Sequence, residues 1–511
     1  FSGVGWGFDA FIGNPPFAFG KNVSTSCGTS YNSFLILNNS AAKKNVDICA
    51  HFFHCAFALL NSNGAMGMLA TSSIAEGETR LAALESIIFA GGSIYSATSK
   101  SKWPGAANVF ICRVSVSKRQ WEGAFTLDGK CVKGISSFLT PDTNWQPVSL
   151  QENQGVAFYG AIPNGDGFFI PKAEAEALLT KSPDHHKVLY PFLTGKDLNS
   201  NPSQSASRFA INFWDWSEDV ASKYSDAFEI VANRVKPYRA TLKSTKPKLA
   251  EKWWIYEANP KGLHDAIGRS EHFRGGVTKT ALNEVLVIAR VSSTNAFTFV
   301  SPNQIFDCAL IVVASDDFGV FAVLQSSIHF AFAWQHGGKM KSDLRYSPTM
   351  CLATFPFPKP DDFEGLRLAG RSFNEKRKGI LTKRKWGLTR LSNSLHDSDC
   401  GDSDIQGLRS CLADLDMRVL EAYGWSDIAL NHGFHHVDYL PAGRNLRYTI
   451  SEPARIEILH RLADLNLQRH KEEANKNSIA SDSAKNATKL GRKGKRTSSE
   501  PISDLFDGEN A

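Results

Sequence analysis

The sequence predicts an α/β protein with a mixed second unit, a helical carboxyl-terminal region and a polar tail. Three observations carry this. The apolar run Ala10-Phe11-Ile12 reads as the end of a buried strand, cut off by Gly13-Asn14-Pro15-Pro16, which continues neither strand nor helix. Helix and strand patterns then alternate from 46 to 116 and end in a strand pair. From Glu473 onward Ser, Asn, Lys, Gly and Ala displace the apolar periodicity.

Length and composition set the frame. At 511 residues, 42% hydrophobic and 11% aromatic, the chain has room for two or three units with sizeable cores. A net charge of +6 suits a nucleic-acid partner without requiring one. Nine cysteines with no Cys-x-x-Cys pair favour a reduced, cytoplasmic setting over a disulfide scaffold. No signal peptide or long apolar run stands out, so no membrane partner is expected.

The opening strand carries the chemistry. The prolines lock φ and restrict the residue before each of them, which holds the Asn14 side chain and the Pro15 carbonyl still. Together those two oxygens can accept both hydrogens of one amino group, and Phe17 can stack on the ring that bears it. Placed at the carboxyl end of a strand, this describes a pocket for an exocyclic amine on a flat heterocycle. A plain proline turn fits the same residues.

Residues 18–45 are polar and read as a loop over the pocket. A buried helix is expected over 46–61, a strand over 64–71, a helix over 80–89 and strands over 91–98 and 107–116. Cys49, His51, His54 and Cys55 suggest zinc, yet Cys49 lies roughly 160° from His51 and roughly 140° from His54 around a helix. They are read as core, and no metal is expected. Residues 117–155 turn polar and irregular, a boundary. A turn-rich entry at Gly160–Phe168 opens the second unit, and a basic run, Arg234, Lys236, Arg239, Lys243, Lys246, Lys248 and Lys252, precedes Trp253, Trp254 and Tyr256. Such a run can track phosphates, or it can be a solvated helix face beside core aromatics. Residues 361–425 and 452–472 are helical, the latter with Pro453 in its first turn.

Asn14-Pro15-Pro16-Phe17 resembles the Asn/Asp/Ser-Pro-Pro-Tyr/Phe motif of DNA adenine-N6 methyltransferases. The stretch 70–80, ending Gly77-Glu78-Thr79-Arg80, is similar to Thr-Asn-x-Ile-x-Gln-Gly-x-Thr-Arg of the MmeI-type (type IIL) restriction–modification proteins. Trp103-Pro104-Gly105-Ala106-Ala107 looks like their Trp-Pro-Gly-x-Ala, and the stretch 345–358 resembles their Arg-Tyr-Thr-Pro-Thr-x-Cys-Phe-x-Thr-Phe-Pro-Phe-Pro. Ser72 and Glu76 stand where Asn and Gln are usual, which leaves any role of those two positions open. The ending Leu465-Asn466-x-x-Arg469 resembles the last helix of large methyltransferase–restriction chains.

The resemblance implies the second half of a Rossmann-like class I methyltransferase sheet over residues 1–138. A mixed α/β target-recognition domain would follow over 139–358, a helical domain over 359–440, a helix over 441–475 and a disordered basic tail over 476–511. It implies methyl transfer from S-adenosylmethionine to adenine N6 in double-stranded DNA within a restriction–modification system. Asn14, Pro15, Pro16 and Phe17 would be catalytic and Trp103 a stacking partner. Arg234, Lys236, Arg239, Lys279, Arg290 and Asn295 are candidates for DNA contact. Phe1-Ser2-Gly3-Val4-Gly5 looks like the loop that cradles S-adenosylmethionine, but only eight residues separate it from Asn14, too few for a crossover. The cofactor site is therefore expected before residue 1, and the chain is read as a carboxyl-terminal part, inactive alone. The alternative is a DNA-binding specificity module without chemistry, or an inactive gene remnant. A nuclease finds no support in these residues. Ser503-Asp504-Leu505-Phe506 faintly resembles a sliding-clamp-binding peptide.

Overall fold

The computed structural model describes residues 7–17, 20–43, 46–103, 110–140, 147–273, 275, 280–340, 343–359, 363–437, 440 and 443–493. The first unit is a six-stranded sheet of β1 (Phe8–Gly13), β2 (Leu60–Thr71), β3 (Ser93–Lys102), β4 (Phe110–Ser117), β5 (Phe125–Leu127) and β6 (Lys130–Val132). Their spatial order is β1-β2-β4-β3-β5-β6. β1 runs parallel to β2, whereas β4 is antiparallel to both β2 and β3. β3 is thus parallel to β1 and β2, and the expected closing hairpin inserts its second strand into the sheet.

Helix Ile48–Leu59 covers one face of this sheet. Asp47 caps its first turn, accepting from the Cys49 amide at 3.2 Å. Cys49 is buried and Cys55 exposed, as the helical angles require. Two expectations fail. β1 is a strand but not a buried one, since Ala10 is exposed, Phe11 is half-buried and Ile12 is 94% exposed. Residues 18–45 are not a plain loop, since helices Gly20–Cys27 and Thr29–Leu37 fill most of it. Val23 is buried beneath them, and Asn32 donates to Ser24 at 2.8 Å between them. Two Ser/Thr-rich turns around a few buried groups read as loop by composition alone.

The second unit holds β7 (Ala157–Tyr159), β8 (Phe169–Pro171), β9 (Leu189–Leu193), β10 (Arg208–Ile211), β11 (Val285–Ala289), β12 (Val291–Ser292), β13 (Thr298–Val300), β14 (Ile305–Phe306), β15 (Leu310–Val313), β16 (Gly338–Met340) and β17 (Asp343–Arg345). They form sheets in the orders β14-β9-β10-β8, β13-β11-β15-β7 and β12-β17-β16. β11 and β15 are buried along their whole length, which explains their unbroken Val/Leu/Ile composition. At the entry to this unit a side chain on Gly160 would meet the Asp307 carbonyl at 2.2 Å, so the two backbones pack only because Gly160 has none.

Helices Glu364–Arg384, Leu388–Leu395 and Ser403–Ala422 follow. The first turns Leu366, Ala369, Phe373, Ile380 and Leu381 inward at helical spacing and ends where Lys385 turns left-handed at φ 52°. The chain order suggests a recognition unit and then a helical one, but the apolar side chains form one continuous core from Leu193 to Leu462. The final helix runs Glu452–Lys493, through the first part of the expected tail, where no Pro or Gly interrupts before Gly491. Residues 494–511, with the Ser503–Phe506 peptide, lie outside the described residues. Among the described residues no helix is long and apolar enough to cross a membrane.

That helix clasps the second unit at both ends. Asn466 is buried, accepts from the Val148 amide at 2.8 Å and donates to the Val148 and Thr354 carbonyls, both at 2.8 Å. Arg469 meets Glu152 at 3.1 Å, and Glu473 accepts from the Gln151 amide at 2.9 Å. The Asn466→Ala variant leaves these backbone groups unpaired and should lose about 3 kcal/mol. A fall in the urea midpoint at unchanged m-value measures it; an unmoved midpoint would sink this account.

Candidate active site

Asn14 is exposed immediately beyond β1, Pro15 is buried, Pro16 is exposed, and Phe17 is half-buried against the core of the first sheet. Gly13 pairs with Met68, Thr71 with Ile111, and Ile111 with Ser101. Asn14, the turn after Thr71 and half-buried Trp103 therefore leave the sheet at the same end, the carboxyl ends of three parallel strands. Residues 104–109, with most of the Trp-Pro-Gly-Ala-Ala stretch, lie outside the described residues.

The turn after β2 is built on buried polar groups that sequence reading left unremarked. The Asp47 carboxylate accepts from Thr71 Oγ1 at 3.2 Å and Ser73 Oγ at 3.3 Å, and the Asp47 amide donates to Thr79 Oγ1 at 3.2 Å. Burial, then Asp47, pushes the Cys49 thiol far above its ordinary range. The available signal was an acidic residue just before an apolar helix, an N-cap pattern.

Arg80 and Glu85 form a buried ion pair joined by Ser137, whose Oγ accepts from Arg80 at 2.6 Å. The Arg80 guanidinium also lies 3.9 Å from the centre of the Phe138 ring. Burial lowers its proton affinity, and Glu85 opposes that shift. Phe138 in turn meets His336 edge-on at 5.6 Å. Of these groups Arg80, Phe138 and His336 line a cleft of about 430 Å³ between the two units. One wall is Ala75–Leu81, with Lys43; the other is Tyr159, Gln335–Gly338, Arg345, Ser347, Thr349 and Met350. The segment that most specifically carried the resemblance thus faces the turn after β2.

The DNA-contact candidates separate. The Arg290 guanidinium lies 4.8 Å from the ring centre of Tyr159, beside the cleft, and its carbonyl accepts from the Tyr346 amide at 2.7 Å. Exposed Lys236 sits over Trp253 at 4.8 Å, and Arg234 is paired with Glu174 at 2.8 Å. Arg239 is a correction. Its guanidinium is fully buried and donates to the carbonyls of Pro163, Asn164 and Ile255, so it is committed to closing loops. Asn295 is another, because its side-chain amide nitrogen donates to Leu324 O at 2.9 Å and its backbone carbonyl accepts from Gln325 Nε2. Trp253, Trp254 and Tyr256 are core and anchor nothing outside. Lys279 lies outside the described residues, as does Phe1–Gly5.

Among the described residues no group of three or more His, Cys, Asp or Glu is placed to hold a metal. Among the described residues no strand flanks the outer edge of β1.

Comparison with known proteins bears on this geometry. Residues 146–359 match the family described as MmeI, target recognition domain. That stretch is similar to an MmeI-type target recognition domain. Residues 4–95, which hold Asn14–Phe17 and the turn after β2, match the Eco57I restriction–modification methylase family. The type IIL restriction–modification enzyme MmeI, solved in complex with DNA, has the same fold: 19% identity and a TM-score of 0.63 over 90% of this chain and 57% of that one. This chain thus spans little more than half the length of that enzyme. Other similar structures are the type IIG endonuclease BpuSI, at 11% identity and TM-score 0.26 over 82% of this chain and 54% of that one, and DrdV in a DNA complex, at 10% and 0.32 over 73% and 44%. No curated protein sequence matches the chain. The methylase sheet and the MmeI-type domain meet at the cleft.

Removing one member of the Arg80–Glu85 pair should cost about 3–5 kcal/mol, since it strands the other charge. The double variant Arg80→Met with Glu85→Leu should recover most of this. Denaturant unfolding of the two single variants and the double variant decides it; additive losses would dismiss the ion-pair account.

Proposed function

We propose that the chain supplies the adenine-binding and sequence-reading parts of a site-specific DNA adenine-N6 methyltransferase within a restriction–modification system. The observation that supports it best is Asn14-Pro15-Pro16-Phe17 at the carboxyl end of β1, in a methylase-family segment that shares a cleft with an MmeI-type recognition domain. MmeI itself was solved on DNA.

In this reading residues up to 138 serve catalysis and residues 139–358 serve recognition. Target adenine leaves the duplex, because its amine is otherwise paired and stacked. Asn14 Oδ1 and the Pro15 carbonyl accept hydrogens from N6, Phe17 stacks on the base, and Trp103 covers its other side. Those two fixed acceptors favour positive charge growing on nitrogen, which is stronger help to the transition state than to the ground state. S-adenosylmethionine supplies the electrophilic methyl group. Arg345 and Lys43, on opposite walls of the cleft, meet phosphates of the strand that enters it.

In a protein that also holds the methyl-donor site, Asn14→Ala should lower methyl transfer by a factor of about 10² or more. Mass spectrometry of digested product DNA checks both parts of the reading. N6-methyladenine supports it, and N4-methylcytosine or normal turnover in the variant would overturn it. Arg345→Ala should flatten the plot of log affinity against log salt by about one unit of slope, with affinity lost evenly across sequences. Strongly salt-dependent binding of duplex DNA with no methylated base would favour a specificity module without chemistry.

A further inference from the structure

A second cavity, about 70 Å³, shares no lining residue with the cleft. It is lined by the loop Thr294–Ala296, the turn Gln325–Ser327, helices Glu364–Arg384, Leu388–Leu395 and Ser403–Ala422, and strand Leu446–Thr449, which brings a second arginine, Arg447. At about 10–15 Å³ for each water-sized position, that is room for roughly five to seven non-hydrogen atoms.

Arg377 forms one end. It is 3% exposed, donates to Gln325 Oε1 at 3.2 Å and Asn374 Oδ1 at 3.1 Å, and lies over Phe321 and Phe373 at 5.2 and 5.7 Å. Both hydrogen-bond partners are neutral, and no carboxylate forms an ion pair with Arg377 among the described residues. Its Nε–H is buried and has no partner. Burial alone pulls the guanidinium down to about 9, with no anion opposing the shift. A buried cation of this kind calls for an anion.

Two further lining groups hold polar atoms that are buried without a partner, Asn295 Oδ1 and His396 Nδ1. The Asn295 amide nitrogen is committed to Leu324 O, which leaves the oxygen of this lining residue buried and in need of a donor. Much of the remaining lining is aliphatic: Leu388, Leu391, Leu395, Leu408 and Leu412. Ser392, His396 and Tyr448 are only partly buried, which opens the cavity to solvent on their side.

We propose that this cavity is a binding site for a short hydroxy carboxylate. The carboxylate meets Arg377 Nε–H, the hydroxyl donates to Asn295 Oδ1, and the short aliphatic part lies among the leucines. Neither the methyl-transfer reading nor the cleft enters this argument.

Isothermal titration of the full chain at constant ionic strength tests it, with sodium 3-hydroxybutyrate, sodium butyrate and sodium chloride as probes. The hydroxy acid should bind saturably at one site, about 5-fold more tightly than butyrate, the value of one hydrogen bond, and chloride should give no saturable heat. Arg377→Met should abolish binding. Because that variant can also unfold the core, Leu391→Trp is the control: it fills the cavity, keeps Arg377, and should abolish binding while the circular dichroism spectrum stays native. No saturable heat with the hydroxy acid would overturn the proposal. So would undiminished binding in a natively folded Leu391→Trp variant, or water alone in the cavity of crystals soaked in the probe.

Discussion

The cleft stands on a buried ion pair between Arg80 and Glu85. On a regular α-helix, residues five apart lie roughly 140° from one another and cannot meet. Here Leu81–Glu85 is a π-helical turn, whose wider winding brings positions five apart into register. That local irregularity lets Glu85 reach back beneath the turn after β2 and hold Arg80 against Phe138. Phe138 then meets His336 of the recognition domain. A defect in one helix thus sets the contact between the two units, and the cleft wall Ala75–Leu81 is the strand turn resting on that contact.

Much of the fold was legible in the sequence because periodicity carries it. Helix Ile48–Leu59, the alternation up to β4 and the carboxyl helices follow apolar spacing, and the strand before Asn14 was legible as a strand although Ala10 and Ile12 are exposed rather than buried. The place of Asn14–Phe17 at the carboxyl end of a strand was legible for a different reason: two prolines and an amide after a strand leave few conformations. What stayed hidden is pairing across long separations. Asp47 with Thr71 and Thr79, or Glu85 with Ser137, are ordinary polar residues until the chain is closed. The helices Gly20–Cys27 and Thr29–Leu37 were hidden because their composition is that of a loop.

Arginine was the least legible residue. Sequence reading sends cations to the surface, yet Arg80, Arg239, Arg377 and Arg409 are all largely buried. Arg239 donates to three loop carbonyls, and Arg409 to the carbonyls of Ser394, Leu395, Asp397 and Cys400. The guanidinium's five donors in a plane suit it to gathering carbonyls that no strand or helix satisfies, whereas an ammonium group is more strongly hydrated and stays outside. In the run from Arg234 to Lys252 the lysines remain exposed while Arg239 turns in. A basic run is therefore better read as lysines available to a polyanion plus arginines whose place depends on the loops around them.

The same accounting explains why the last helix matters to a cleft it does not line. The chain enters the recognition domain near Val148 and leaves it near Thr354, and both points are open backbone with groups to satisfy. Asn466 presents one amide to both, so its oxygen and nitrogen complete the entering segment while the nitrogen also closes the leaving one. Arg469 and Glu473 hold the next turn of the entering segment through Glu152 and Gln151. The leaving segment runs straight on from Arg345–Met350, the recognition-domain wall of the cleft. A contact made after residue 460 therefore limits how far a wall built before residue 350 can shift against the first sheet. The Leu-Asn-x-x-Arg ending is a clasp on the recognition domain, and its residue types follow from the backbone groups it has to satisfy.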